Sequence, residues 1–476
     1  MSRDNAQFPA AHSSVQPAPL TGSPRALLPA AALLLSGALV AGCTGSSGHP
    51  AAKSTARSAQ SSAVSGCWLP PTASCYAPEQ FRVAYGIQPV LDSGIDGRGE
   101  TVTVLEPPQL ANQGGAGTPT ATAVPTAAGT PPAGAQSFTT DIRTDLAAFD
   151  RIFRLPAARI QVVTTLAGAA SPWQATAPAV QDAEVVHTVA PAATIRLIPL
   201  PANILASATN ATTDLIDGLQ LAVSHTDVAS IGWSLGEHFF SRTQVDQLHA
   251  ILRQAAAHHV TVATSSGDNG AVSESYGGNP VKEVSLPAAD PLALAVGGTT
   301  LTANPSTGAY LSETTWNGAT GSFSVTPGAS GGGFSHLFAR PGYQDGVPGI
   351  GTMRGVPDVA GDANQQGGLP IIMAGGNQTS VNTAPGTSAA TALWAGLVAL
   401  ADQDAHHDLG LVNPAIYRIA RGSRYHQAFH DVTTGDNLTL GPVNDTYHAG
   451  PGWDPVTGWG SPNAQTLVPL LARGQT

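Results

Sequence analysis

The stretch most able to do chemistry is Gly386-Thr-Ser388, which opens the apolar, Ala-rich run ending Leu397-Val-Ala399. Gly386 suits a tight turn, because glycine adopts backbone geometry that other residues resist. Ala389, Leu393, Gly396, Leu397 and Leu400 then recur at helical spacing. A serine at the mouth of a buried helix sits where the helix dipole favours negative charge. That is a good place for the nucleophile of an acyl transfer. The same three residues would also serve as a plain turn and helix cap, so the surrounding elements have to decide between the two.

Those elements alternate. Glu100–Leu105 is a β-branched strand after the turn Asp96-Gly-Arg-Gly99. Further strands are expected at 159–165, 194–199, 228–233, 259–264 and 293–296, with helices at 141–153, 178–189, 214–225 and 241–258. Strands alternating with helices predict a mostly parallel sheet covered on both faces. Pro107–Gln136 and Asn304–Gly333 are rich in Gly, Thr, Ser, Ala or Pro and are expected to be loops.

The chain has 476 residues, enough for one large domain or two ordinary ones. Its formal charge of −11 and the lack of any basic run exclude nucleic acid as the partner. Ala26–Gly42 is apolar apart from Ser36, follows Arg25, and ends Leu-Val-Ala-Gly-Cys43. A positive residue, an apolar segment and small residues before a cleavage point form a secretion signal. The run is short for a spanning helix. Cysteine directly after Val-Ala-Gly resembles a bacterial lipobox, in which that cysteine is lipidated. Residues 1–42 are therefore expected to be a signal segment, and 43–74 a lipidated N-terminus and flexible tether. The domain runs over 75–471. The product is a cell-surface lipoprotein or a secreted protein, touching membrane only through a lipid on Cys43. Export also predicts a Cys67–Cys75 disulfide.

Six motifs fall in order along the domain: Ser265-Ser-Gly-Asp-Asn-Gly270, Pro287-Ala-Ala-Asp-Pro291, Gly331-Gly-Gly-Phe-Ser335, Arg354-Gly-Val-Pro-Asp-Val359, Gly386-Thr-Ser388 and Gly452-Trp-Asp-Pro-Val-Thr-Gly458. Together they resemble the sedolisin family of serine-carboxyl peptidases, from about Cys75 to about Leu471. The resemblance implies a subtilisin-like, doubly wound α/β fold and a Ser-Glu-Asp triad. It also implies an oxyanion hole that includes an aspartic acid, and a calcium site. Carried over by position, Ser388 is the nucleophile, Asp182 the triad aspartate and Asp268 the oxyanion-hole residue. These types suit acid. Imidazole is protonated there, whereas a carboxylate of pKa about 4 can still act as a base. A protonated aspartic acid can donate a hydrogen bond to a developing oxyanion. The resemblance further implies calcium held by Asp431 and Asp454 carboxylates and by the carbonyls of Val432, Gly450 and Gly452, hard oxygen ligands of the kind calcium prefers.

One departure bears on activity. The family places the triad glutamate four residues before the aspartate, on the same helical face. Here that position is Pro178, and 170–180 contains no Asp or Glu. Glu184 cannot replace it, because two residues along a helix is about 200° around the axis. His187 lies off the face of Asp182, and no His-Gly-Thr-like segment follows the first strands. A second departure is upstream: the roughly thirty residues after Cys43 cannot bury the core of a folded propeptide. The expected function is an exported, acid-acting endopeptidase that cleaves peptides or proteins through an acyl-enzyme on Ser388, as a monomer. The alternative is a pseudopeptidase or peptide-binding lipoprotein, since a nucleophile without its base loses orders of magnitude in rate.

Overall fold

Strand β1, Thr101–Glu106, lies in the middle of the central sheet. The computed structural model describes residues 75–474 apart from 107–121, 124–139, 164–172, 202–206, 273–280, 319–327, 365–366, 376–377, 384 and 439–445. These residues belong to one compact unit spanning Ser62–Thr476. The expected signal segment, lipobox and tether lie outside them, as do Cys67 and nearly all of the expected Pro107–Gln136 loop. Cys75 is disulfide-bonded. Among the described residues, no helix is long and apolar enough to cross a membrane.

The other strands of the sheet are β2 (Arg159–Val162), β3 (Thr194–Pro199), β4 (Val228–Ile231), β5 (Thr261–Ser265), β6 (Leu294–Ala303), β7 (Tyr310–Thr315) and β8 (Val359–Asp362). Their order is β7-β6-β5-β4-β1-β3-β2, with β8 also paired to β6. Every pairing is parallel except β6 with β7. The expected Asn304–Gly333 loop therefore contains a strand. Its apolar signal is weak because only Glu313 and Thr315 of β7 are buried, and both are polar.

Six helices matter for the site: α1 (Ile142–Phe153), α2 (Ala177–Val189), α3 (Ala208–Ala222), α4 (Arg242–Ala257), α5 (Thr387–Ala405) and α6 (Ala464–Arg473). α3 begins six residues before its expected start, because Ser207 caps it by accepting from Asn210 N. The sheet separates two cores. Val102 and Val104 pack with α2 and α5 residues such as Val180, Val186, Leu393 and Trp394. Leu105 packs on the other side with Leu215 and Leu219 of α3 and Leu248 and Leu252 of α4. This is the expected doubly wound architecture, produced by the two-residue alternation of strand side chains.

α2 and α5 are buried almost all round, which explains why neither shows a one-sided apolar stripe. They pack against each other and against the sheet. Trp394 Nε1 anchors α5 by donating to Ala360 O of β8, 2.8 Å away. Beneath the sheet edge, Arg354 and Asp358 form a fully buried, two-pronged ion pair at 2.7 and 2.6 Å. Ala295 N, Asn413 Nδ2 and Tyr417 Oη also donate to the Asp358 carboxylate. That motif of the sequence is thus a structural lock joining β6, β8 and the C-terminal helices.

Candidate active site

In this sheet the chain runs outward from β1 in both directions, to β3 on one side and β4 on the other. Open parallel sheets bind ligands outside the carboxyl ends of strands at such a switch point. Four segments converge there. Glu106 ends β1. Gly232 follows β4, its N–H donating to Leu105 O. Asp268 follows β5, and Ser388 stands in the first turn of α5.

Alternation along β1 sends Glu106 to the same side as Val102 and Val104, the side of α2 and α5. There it meets Asp182. A Cβ on Gly232 would fall 1.5 Å from Glu106 Oε1 and 2.8 Å from Asp182 Oδ2, so both carboxyls converge on a space that only glycine leaves open. Glu106 is 3% exposed and Asp182 fully buried. Burial, then the neighbouring Asp182, push the Glu106 carboxyl well above its usual range. Burial also pushes Asp182 up, to about 6, while Glu106 and the Ser388 hydroxyl favour its charged form. Neither Asp182 oxygen meets ordinary hydrogen-bond geometry, yet Glu106 and Ser388 are the side chains placed to donate to it. The pair holds at least one proton through the acidic range, because two adjacent buried carboxylates cannot both ionise cheaply.

Gly386 turns the chain into α5 with φ of 151°. A Cβ there would lie 3.3 Å from Asp268 Oδ2 and 3.6 Å from Ser388 Oγ, which places both atoms beside one small space. Asp268 Oδ1 accepts from Thr387 N at 2.9 Å and from Thr387 Oγ1 at 2.8 Å. With Oδ1 occupied, the proton of a neutral Asp268 belongs on Oδ2, the oxygen beside the space that Ser388 Oγ also borders. Burial raises the Asp268 pKa against these two hydrogen bonds, which lower it. Ser265 Oγ meets Thr387 Oγ1 at 2.5 Å, tying β5 to the head of α5.

The structure thus brings Ser388, Asp182 and Asp268 to one place and adds Glu106, which the motifs did not point to. Pro178 occupies the first turn of α2. Glu184 points elsewhere, accepting from Ile372 N with both oxygens at 3.1 Å. His187 Nε2 sits 2.9 Å from Asp150 Oδ1 and 3.0 Å from Pro156 O, so it serves packing rather than the nucleophile.

Asp431, Val432, Gly450, Gly452 and Asp454 form a second group. Gly452 N donates to both Asp431 oxygens at 3.1 Å, and Gly450 N donates to Asp454 Oδ2 at 3.3 Å. Thr457 Oγ1 donates to Asp454 Oδ2 at 2.8 Å and lies 3.5 Å from Val432 O. Both aspartates act on Tyr425. The two carboxylates and the glycine turn therefore lie in one cluster, whose carboxylate oxygens are of the kind calcium takes.

Residues 162–450 match the model of the subtilase family. Kumamolisin from Bacillus sp. (strain MN-32) is 35% identical over 306 residues, covering 62% of this chain and 51% of that protein. Sedolisin from Pseudomonas sp. (strain 101) is 36% identical over 214 residues, covering 44% and 35%. The chain thus spans about half the length of the first of these relatives and less of the second. The solved structure of Pseudomonas sedolisin, a serine-carboxyl proteinase complexed with two molecules of pseudo-iodotyrostatin, is similar with a TM-score of 0.65 at 25% identity, over 84% of this chain and 98% of that one. Matched along most of its folded length, with a buried serine and a set of carboxyls at the carboxyl ends of its strands, the chain belongs to the subtilase family, in its sedolisin branch of serine-carboxyl peptidases.

Proposed function

We propose that this protein is an exported, acid-acting endopeptidase that cleaves peptide bonds through an acyl-enzyme on Ser388. The observation that carries this reading is the convergence of Ser388, Asp182 and Asp268, with Glu106 behind Asp182. Asp182 takes the proton of Ser388 Oγ as that oxygen attacks the scissile carbonyl carbon. Asp268 donates its Oδ2 proton in a hydrogen bond to the oxyanion. Asp182 then returns the proton to the leaving amine, and water repeats the sequence to release the acyl group. Neutral Glu106 donates to Asp182, which holds it charged and aimed at Ser388 although the family's glutamate is replaced by Pro178.

The pH dependence has a definite sign. Activity needs Asp182 ionised and Asp268 protonated. It rises as Asp182 loses its proton and falls as Asp268 loses its own, giving a weakly acidic optimum. Cleavage of an unfolded protein substrate between pH 3 and 8 tests this. Wild-type activity should peak below pH 7, fall by more than about a thousandfold in Ser388→Ala, and fall by about a hundredfold in Asp268→Asn. Wild-type activity that survives Ser388→Ala would refute the assignment. Pro178 favours the second reading, a pseudopeptidase with an intact cleft; silence in wild type with activity in Pro178→Glu would establish that one.

Calcium completes the proposal. Asp431 and Asp454 would supply carboxylates, and Val432, Gly450 and Gly452 carbonyls, joining two loops of the C-terminal region. Bound calcium stabilises the folded state by mass action. Adding a calcium chelator at pH 6 should lower Tm by several degrees in wild type and leave Asp431→Asn unchanged; an unshifted wild type argues against the site.

Export and anchoring rest on residues 25–43. Metabolic labelling with palmitate should mark the wild type and not Cys43→Ala, and a labelled variant would overturn the lipid anchor.

A further inference from the structure

A second cluster of ligating side chains lies one short step from the active site and takes no part in the mechanism above. After Gly232-Trp-Ser234 the chain forms a two-residue strand, Leu235–Gly236, paired antiparallel with Ser285–Leu286. Glu237 follows the first of these and Glu283 precedes the second, so the ribbon sets them side by side. His336 comes from a third segment, the strand Gly333–Ala339. One ligand atom from each of the three residues lies within 4.8 Å of the others. Ligands at about 2 Å from a tetrahedral zinc sit roughly 3–4 Å apart, so a small side-chain movement closes the set.

The details go beyond a crowd of acids. Glu237 and Glu283 are only 3% and 5% exposed, and both oxygens of each are met by a hydrogen-bond partner. Ser335 Oγ donates to Glu237 Oε1, and His336 N donates to Glu237 Oε2 at 2.7 Å. His238 N donates to Glu283 Oε2 at 3.0 Å, while His238 Nδ1 pairs with Glu283 Oε1. Such hydrogen bonds orient carboxylates as outer partners do in metal sites. His336 is exposed, its ring makes no hydrogen bond among the described residues, and it lies close enough to Glu237 to act on it electrostatically, as Glu283 does. Two buried carboxylates therefore face each other, with one free imidazole at the solvent side to complete a cation-binding set. Mixed oxygen and nitrogen donors select zinc or a similar divalent transition ion over calcium or magnesium.

We propose that Glu237, Glu283 and His336 form a zinc-type site, with water in the remaining position, that joins the segment after Gly232 to the segment after Gly331. Gly331 N donates to Gly267 O at 2.7 Å, beside Asp268. The ion thereby links the strand ends on both sides of the catalytic groups and stiffens the cleft.

Zinc binding to the full-length, calcium-loaded protein at pH 7 tests this by titration calorimetry, with Tm measured in parallel. Wild type should bind one zinc ion that is weakened at least tenfold in His336→Ala and in Glu283→Gln, and zinc should raise Tm only in wild type. His336 is at the surface, so its variant keeps the fold, and an unchanged calcium-dependent Tm confirms that it has. Equal zinc affinity in wild type and His336→Ala, or no stoichiometric binding in wild type, would overturn the proposal.

Discussion

Glu106 and Asp182 meet in the space that Gly232 leaves open, and burial obliges at least one of them to hold a proton. The rest of the site is arranged around that constraint. Strand β1 must end where it does, so that two-residue alternation turns Glu106 towards α2. Helix α2 must be buried on every side, so that Asp182 has no water to ionise into. Residue 232 must lack a side chain. Given these three conditions, the carboxyl pair is a proton reservoir placed beside a serine.

The same physics runs through the molecule. Burial pushes Asp362 and Asp402 up to about 8, and Glu184 and Glu313 also upward. A carboxyl whose folded pKa is raised contributes most to stability below its unfolded pKa, about 4, and loses that contribution as pH rises through the folded value. The direction matches the chemistry proposed for Asp268, which is useful only while protonated. Fold and proposed chemistry share one physical cause, the burial of carboxyls with few cationic partners. Arg354 with Asp358 is the contrasting case, where a buried carboxylate is held charged by a guanidinium and three other donor groups.

Much of this was legible in the sequence. Alternating strands and helices gave the doubly wound sheet because buried parallel strands are apolar and β-branched, as Thr101–Leu105 is. Ser388 stood out because a turn glycine and a long apolar helix bracket it. Asp268 came only from ordered motifs, since a single aspartate beside glycines looks like any turn, and Asp182 only from its position under the resemblance those motifs carry. Glu106 was missed because its partners are 76 and 126 residues away in β-α order, as Asp182 and Gly232. The available signal was a carboxylate at the carboxyl end of a central strand, in phase with Val102 and Val104. β7 was missed because its buried residues, Glu313 and Thr315, are polar and satisfied by tertiary partners.

The central claim is that neutral Glu106 stands in for the missing triad glutamate by keeping Asp182 ionisable. The most direct measurement is the pH profile of kcat/KM for wild type, Glu106→Gln and Glu106→Leu. Glutamine can still donate to Asp182, so that variant should keep the acidic limb in place and stay within about threefold of wild type. Leucine cannot donate. Its acidic limb should move up by about one pH unit, with a loss of about tenfold or more at the optimum. A leucine variant with the wild-type profile would contradict the account and leave Glu106 as packing.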